Sequence, residues 1–298
     1  MVHRVRDERT GAVLALKVMS LELLGAAEYA ERFQREAKIG ATIRSDHVVR
    51  VHDSGIDEAT AFPYFTMDLL EGEDLHRRLE REPMLDRSFS HELLRQLFDA
   101  LRAAHAVKIV HRDLKPENLF LVSRAEGAPT LKVLDFGVAK IVREITGART
   151  RAGLGSPLWV APEQGREGQL IRPSSDVWAL GLVTYRLLAG TIYWRAANAP
   201  GASAFDLAVE MLRAPIAPPS LRSRELGVPE LGADFDAWFL RAVDRDPSRR
   251  FADAGEAWRA LGPLLEAMVS AGAEVPHSAK PGEARRSALG WLRRLLGG

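Results

Sequence analysis

The sequence predicts an α+β chain in which a small, strand-rich part precedes a larger, mostly helical one. Strand–turn–strand patterns crowd into the stretch before Leu70, and helical periodicity dominates from Ser88 onward. Between two apolar, β-like segments stands the polar run His-Arg-Asp-Leu-Lys-Pro-Glu-Asn, from His111 to Asn118. Strands first and helices afterwards point to an α+β arrangement. Charges clustered between strands belong on a loop that a rigid scaffold holds at a site.

Composition narrows the function classes. With 298 residues the chain suits one two-lobed domain or two of ordinary size. Hydrophobic residues at 46% exclude a disordered chain, and a net charge of +1 gives no general case for nucleic acid binding. The absence of Cys excludes disulfides and thiolate metal sites. Arg4, Arg6, Asp7, Glu8 and Arg9 open the chain without a signal-peptide core behind them, and no apolar run reaches the ~18 residues of a membrane span. The expected compartment is the cytoplasm. No internal repeat is present.

In the first part, Val2–Arg6 and Val13–Met19 read as strands around a turn ending in Gly11. Lys17 is the one charge in the second strand. It needs a partner or ligand if buried, the alternative being an edge Lys that reaches solvent. From Ala26 to Thr42, Phe33, Ala37 and Gly40 recur at helical spacing with Glu36 on the same face. Val48–Asp53 and Phe62–Leu70 predict two more strands around a turn at Gly55–Glu58, with Met67 read as core. Glu71-Gly72 is expected to turn into the larger part.

There, Leu93, Leu94, Leu97, Leu101 and Ala104 mark an amphipathic helix opened by Ser88 or Ser90, with His105 read as core. In the loop that follows, Asp113 could accept a proton from an attacking hydroxyl. Lys115 could neutralise a transferring phosphoryl group, and the Asn118 side-chain oxygen could ligate Mg²⁺. The alternative is a charged surface loop. Leu131–Leu134 predicts a short strand running into Asp135-Phe136-Gly137, then a polar stretch from Arg143 to Gly155, then Ala161-Pro162-Glu163. Val177–Leu188 is apolar nearly all round, as a central buried helix should be, with Asp176 at its start and Trp178 in the core. Helices near Phe205–Leu212 and Asp234–Val243 flank a Pro-rich connection at Pro215–Ser220, and a last helix starts at Asp253.

Over about Val2 to Met268 the chain resembles the eukaryotic-like serine/threonine protein kinases of bacteria. His111–Asn118 resembles their catalytic loop, with Lys115 pointing to the serine/threonine class. Leu14-Ala15-Leu16-Lys17, Asp135-Phe136-Gly137 and Ala161-Pro162-Glu163 occur in the family's order. The resemblance implies the bilobal protein-kinase fold, with residues 1–72 as an antiparallel-sheet lobe and 73–268 as a helical lobe. It implies transfer of the γ-phosphoryl of ATP, with Mg²⁺, to Ser or Thr hydroxyls of protein substrates. Asp113 is then the base and Lys115 steadies the moving group, while Asn118 and Asp135 hold metal. Lys17 holds phosphates, Glu36 holds Lys17, and Val2, Met67, Asp68 and Leu69 line the nucleotide site, the last two through backbone groups.

The same resemblance implies structural roles for Asp176 and for a Glu163–Arg250 pair, and a tether from Ser156 to Asp113 and Lys115. Arg112 before the catalytic Asp implies control by a phosphate on Thr150, or second on Thr146. Val2 matches the Val that ends the family's Gly-rich loop, so that loop and the preceding strand fall before residue 1. The expectation is weaker ATP binding, with a non-catalytic pseudokinase scaffold as the alternative function.

Residues 269–298 are expected to form a linker and a basic amphipathic tail. Leu289, Trp291, Leu292, Leu295 and Leu296 share one side of a helix and Arg286, Arg293 and Arg294 the other, with Arg285 within the apolar arc. Such a tail could dock on the chain's own surface, in a partner groove or on an anionic membrane. The membrane reading predicts co-sedimentation with anionic but not neutral vesicles, lost in a chain ending at Ala279. Binding that ignores both lipid charge and the tail excludes it.

Overall fold

A computed structural model describes residues 2–18, 42–57, 60, 62–124, 126–136, 157–166 and 168–273. The helix expected around Glu36, the stretch with Thr146, Thr150 and Ser156, and the amphipathic tail lie outside the described residues.

Two antiparallel sheets are present. The first has the order β1-β2-β4-β3, from β1 (Val2–Arg6), β2 (Val13–Val18), β3 (Val51–Ile56) and β4 (Pro63–Asp68). Asp7 forms the β1–β2 turn, its carboxylate accepting from the Arg9 and Thr10 amides. The strand expected at Val48–Asp53 starts three residues later and runs through Gly55, which pairs with Tyr64. The reason is that residues 47–49 are spent elsewhere. Val49 N–H donates to Val133 O at 3.0 Å and Val133 N–H to His47 O at 2.8 Å, so this segment joins the second sheet.

That second sheet has the order β5-β6-β7: β5 (Gly72–Asp74), β6 (Leu119–Val122) and β7 (Thr130–Val133). Glu71-Gly72 is therefore not a free turn. Gly72 opens β5 at φ 150°, where a Cβ would lie 2.0 Å from the Leu121 carbonyl oxygen, so only glycine allows this approach.

The helices are α1 (Leu75–Arg81), α2 (Arg87–Ala106), α3 (Pro173–Ala189), α4 (Arg195–Asn198), α5 (Ala204–Leu212), α6 (Pro219–Leu226), α7 (Ala233–Ala242) and α8 (Ala254–Ala273). The expected serine start of α2 is wrong. Asp86 is its N-cap, accepting from the Ser88 and Phe89 amides, because a carboxylate also complements the helix dipole. The Pro215–Ser220 connection holds the start of α6, with Pro219 at a first-turn position that has no amide to lose.

One core surrounds α3, whose residues from Ser174 to Leu187 are all buried, and takes in Leu93, Leu97 and Leu101 of α2 and Phe235 and Phe239 of α7. A smaller core of Ala15, Val49, Phe65 and Met67 underlies the first sheet, with Leu69, Leu70 and Leu134 packed on it. Two cores, one under a sheet and one around a helix, are the physical content of a bilobal α+β fold.

Glu163 and Arg250 meet in the larger core as a bidentate pair at 2.7 and 2.8 Å, and Ser175 donates to Glu163 at 2.8 Å. Arg250 also donates to Ser174 O and Asp244 O and lies 5.1 Å from the Trp178 ring centre. Burial pushes the Glu163 carboxyl up, yet Arg250 outweighs it and holds the group below its usual range. Removing one partner of such a buried pair costs about 3–5 kcal/mol, whereas an apolar pair of similar volume can be neutral. Glu163→Leu should accordingly lower the urea midpoint far more than Glu163→Leu combined with Arg250→Met; equal losses would show that the pair is not the cause.

Candidate active site

The His111–Asn118 loop is held from beneath by one carboxylate. Asp176, in the first turn of α3, accepts from His111 N–H at 2.7 Å, from Arg112 N–H at 2.9 Å and from His105 Nε2 at 2.9 Å. The amides it holds belong to this loop and not to its own helix. Burial pushes its carboxyl up, but the His105 hydrogen bond and the neighbouring donors outweigh that and keep it below its ordinary range. His105 is thus more than filler in the core. Ala254 N–H donates to its Nδ1 at 3.1 Å, which leaves the proton on Nε2 for Asp176.

His111, fully buried, ties this loop to the end of β7. Asp113 N–H donates to its Nδ1 at 3.3 Å, and Nε2 donates to Leu134 O at 2.7 Å. Its ring meets Phe136 edge-on at 4.8 Å. Leu134 N–H in turn donates to Asn118 O at 2.9 Å, so both backbone groups of Leu134 are fixed by the loop. Asp135 follows directly, at φ 58°, a left-handed conformation that a non-glycine residue keeps only where its surroundings impose it.

The structure brings Asp113, Lys115 and Asn118 together. Lys115 Nζ lies 2.9 Å from Asp113 Oδ2, while Asn118 Nδ2 donates to Asp113 O at 2.7 Å and to its Oδ2 at 3.1 Å. Spending its NH₂ on Asp113 leaves the Asn118 Oδ1 as an acceptor. Across from this loop, Lys17 Nζ pairs with Asp135 Oδ2 and lies 5.8 Å from the Phe65 ring centre. Its expected partner Glu36 lies outside the described residues, as does Ser156. Val2 stands directly opposite Lys17 in the β1–β2 pair and is exposed.

Met67 is buried in the smaller core, and Leu69 packs against that core. Asp68 closes β4 opposite Leu14 of β2. Its N–H donates to Arg50 O at 3.0 Å and its carboxylate meets His52 Nε2 at 2.7 Å.

An oxygen-only pair from Asn118 and Asp135, on adjoining backbone, suits a hard cation such as Mg²⁺. Among the described residues no group of three His, Cys, Asp or Glu side chains forms a metal cage. A Mg²⁺ ion held here would complete its shell with phosphate and water oxygens, as that ion commonly does.

Sequence reasoning missed the linking roles of His105 and His111 and any role for Gln164, whose Nε2 donates to Arg112 O at 2.7 Å. The spacing of His111 within its polar run was the one available signal. The partners of His105 and Gln164 are far away in the chain and invisible to periodicity.

The depressed Asp176 group makes a signed prediction. A carboxyl lowered in the folded state contributes stability above its unfolded value of about 4, lost as pH falls through the folded value. Asp176→Asn should therefore be less stable than the parent by about 1–3 kcal/mol at pH 7. Urea unfolding below pH 4 should find that gap narrowing. A gap unchanged between pH 7 and 3 would contradict the assignment.

Comparison with known proteins identifies the family and the fold. The model of the protein kinase domain family matches residues 1–250. Serine/threonine-protein kinase pkn3 of Myxococcus xanthus is 35% identical over 263 residues, which cover 87% of this chain and 46% of that protein. Pkn1 of the same organism is 36% identical over 244 residues, 81% of this chain and 33% of that one. PknL of Mycobacterium tuberculosis H37Rv is 34% identical over 268 residues, 90% and 62%. The chain thus spans less than two thirds of the length of these relatives. The crystal structure of the Mycobacterium tuberculosis PknI kinase domain superposes with a TM-score of 0.64 at 24% identity, over 88% of this chain and 89% of that one, and shares its fold. A family match that runs from β1 to Arg250 and takes in the whole loop, Asp135 and the Glu163–Arg250 pair makes this chain a member of the protein kinase domain family.

Proposed function

We propose that this chain is a serine/threonine protein kinase that moves the γ-phosphoryl group of ATP to Ser or Thr hydroxyls of protein substrates. The observation that carries this reading is the single cluster of Asp113, Lys115 and Asn118, tied through Leu134 to Asp135 and its partner Lys17. The relatives named serine/threonine-protein kinases support the same class.

In this mechanism Asp113 orients the substrate hydroxyl and takes its proton. Lys115 and Asn118 both engage Oδ2, which leaves the other carboxylate oxygen for that task. Lys115 is placed to offset negative charge on the transferring group, and Lys17 to hold phosphate oxygens, with Glu36 steadying Lys17. Asn118 and Asp135 would hold Mg²⁺, which supplies positive charge to the phosphate oxygens when bound. Val2, Met67, Leu69 and the Asp68 carbonyl would enclose the base, and Ser156 would tether Asp113 and Lys115. A cytoplasmic setting, where ATP is supplied, goes with this reading. Regulation would come from a phosphate on Thr150, or second on Thr146, pairing with Arg112.

Asp113→Asn should lower the rate of phosphoryl transfer to a protein substrate by about 10²–10⁴ and leave ATP binding near the parent value. Asp135→Asn should instead weaken the Mg²⁺-dependent part of nucleotide binding. Radiolabelled ATP with a generic Ser/Thr protein substrate, read beside calorimetric ATP binding, tests both, and mass spectrometry of the same reaction locates any phosphate on Thr150. Full activity in Asp113→Asn would refute the mechanism. A parent without transfer would favour the non-catalytic scaffold.

A further inference from the structure

Arg112, immediately before Asp113, has φ 71°. A side chain with a Cβ adopts that left-handed conformation only when its surroundings impose it. Asp176 holds one end of the residue by accepting from Arg112 N–H at 2.9 Å. The other end is held by a residue so far without a role: Gln164 Nε2 donates to Arg112 O at 2.7 Å. Gln164 Oε1 accepts from Ala161 N–H at 3.2 Å, so both ends of the amide are engaged and its orientation is fixed by its partners. The short turn Pro162–Gly165 that carries Gln164 is itself anchored, because Glu163 beside it is locked to Arg250 and Ser175.

We propose that Gln164 is a positioning residue for phosphoryl transfer: by clamping the Arg112 carbonyl it fixes the backbone turn that aims the Asp113 carboxylate. The proposal rests on the kinase reading above. Gln164 touches no reacting atom, and its effect runs through the peptide between Arg112 and Asp113. Asp176 holds only the amide side of Arg112, and the next peptide is held at both ends, its Asp113 N–H by His111 Nδ1 at 3.3 Å and its Arg112 carbonyl by the shorter bond from Gln164. A group built to accept a proton tolerates little misplacement, since errors near 1 Å can cost about 10²-fold in rate.

The test measures kcat, KM for ATP and ATP binding in the full chain, with Gln164→Ala and Gln164→Glu beside the parent, from pH 8 down to about pH 5, toward the ordinary Glu value of about 4.3. At pH 8 both variants should lose about tenfold to a hundredfold in kcat with ATP affinity within about twofold of the parent. An ionised Glu cannot donate to the Arg112 carbonyl, whereas its protonated form can. The ratio of Gln164→Glu to parent kcat should therefore rise as pH falls, while the Gln164→Ala ratio stays flat. The Gln164→Ala ratio controls for any response to acid that arises elsewhere in the chain, including at Asp176 and Glu163 beside Gln164.

A merely structural role for Gln164 would lower ATP binding and kcat together and give no acid recovery, and that result overturns the proposal. Parent-like kcat in both variants overturns it as well, while the kinase reading stands. A parent without transfer overturns both. Should Gln164→Ala fail to fold, the pH dependence of Gln164→Glu decides alone.

Discussion

Everything at the candidate site depends on one buried charge. Asp176 has almost no exposure, and an isolated carboxylate there would cost several kcal/mol. Three donors offset that cost: the His111 and Arg112 amides and the His105 ring. Charge-assisted hydrogen bonds of this kind contribute about 1.5–3 kcal/mol each, so the set roughly balances the desolvation it must overcome. The consequence is less a gain in stability than a restriction of geometry. The carboxylate is satisfied only when the loop lies in one position over α3. The Ala254 amide, by fixing the proton on His105, extends this requirement to the start of α8.

From that anchor the constraint passes to the second half of the site. His111 reaches the Leu134 carbonyl, Asn118 takes the Leu134 amide, and Asp135 follows with no freedom left at its N-terminal side. The segment 47–49, hydrogen-bonded to Val133, fastens the sheet lobe to the same strand. Leu134 also packs on the smaller core beneath Lys17's strand. A loop in one lobe, the end of a strand and a lysine in the other lobe are thereby connected through short contacts, with His111 and Leu134 as the joints.

Much of this was legible in the sequence, and the reasons are physical. The all-round apolar stretch at Val177–Leu188 had to be an enclosed helix, and the polar run between two strands had to be a loop under constraint. Strand edges were less legible: Val48 and Val49 look like strand residues of the first sheet, but the bonds flanking Val48, through His47 O and Val49 N–H, go to Val133 of β7. The start of α2 was misplaced because serines and Asp86 compete as caps within a few residues, and only the geometry shows that the carboxylate takes the amides. For Asp68, the sequence cannot reveal that its N–H goes to the Arg50 carbonyl just before β3. The least legible features were side chains that act at long range. Gln164 follows a motif without belonging to it, and a single polar residue in a turn carries no sign of which carbonyl it will meet.

Under the proposed function, the charges that this framework assembles would call for an added cation. Lys115 pairs with Asp113 and Lys17 pairs with Asp135, so the four side chains sum to zero. Both lysines are partly exposed and can shift toward an incoming anion, but every contact they give to phosphate is one they withdraw from a carboxylate. A triphosphate brought into such a balanced site would leave two aspartates facing its oxygens with too little positive charge between them. Under the proposed function, a divalent cation held by Asn118 and Asp135 would restore the balance at the point where it fails, next to Asp135. The same balance would give Asn118 its value as a neutral ligand. An aspartate in its place would add a third negative charge beside Asp113, raising its proton affinity by like-charge repulsion and opposing the approach of phosphate.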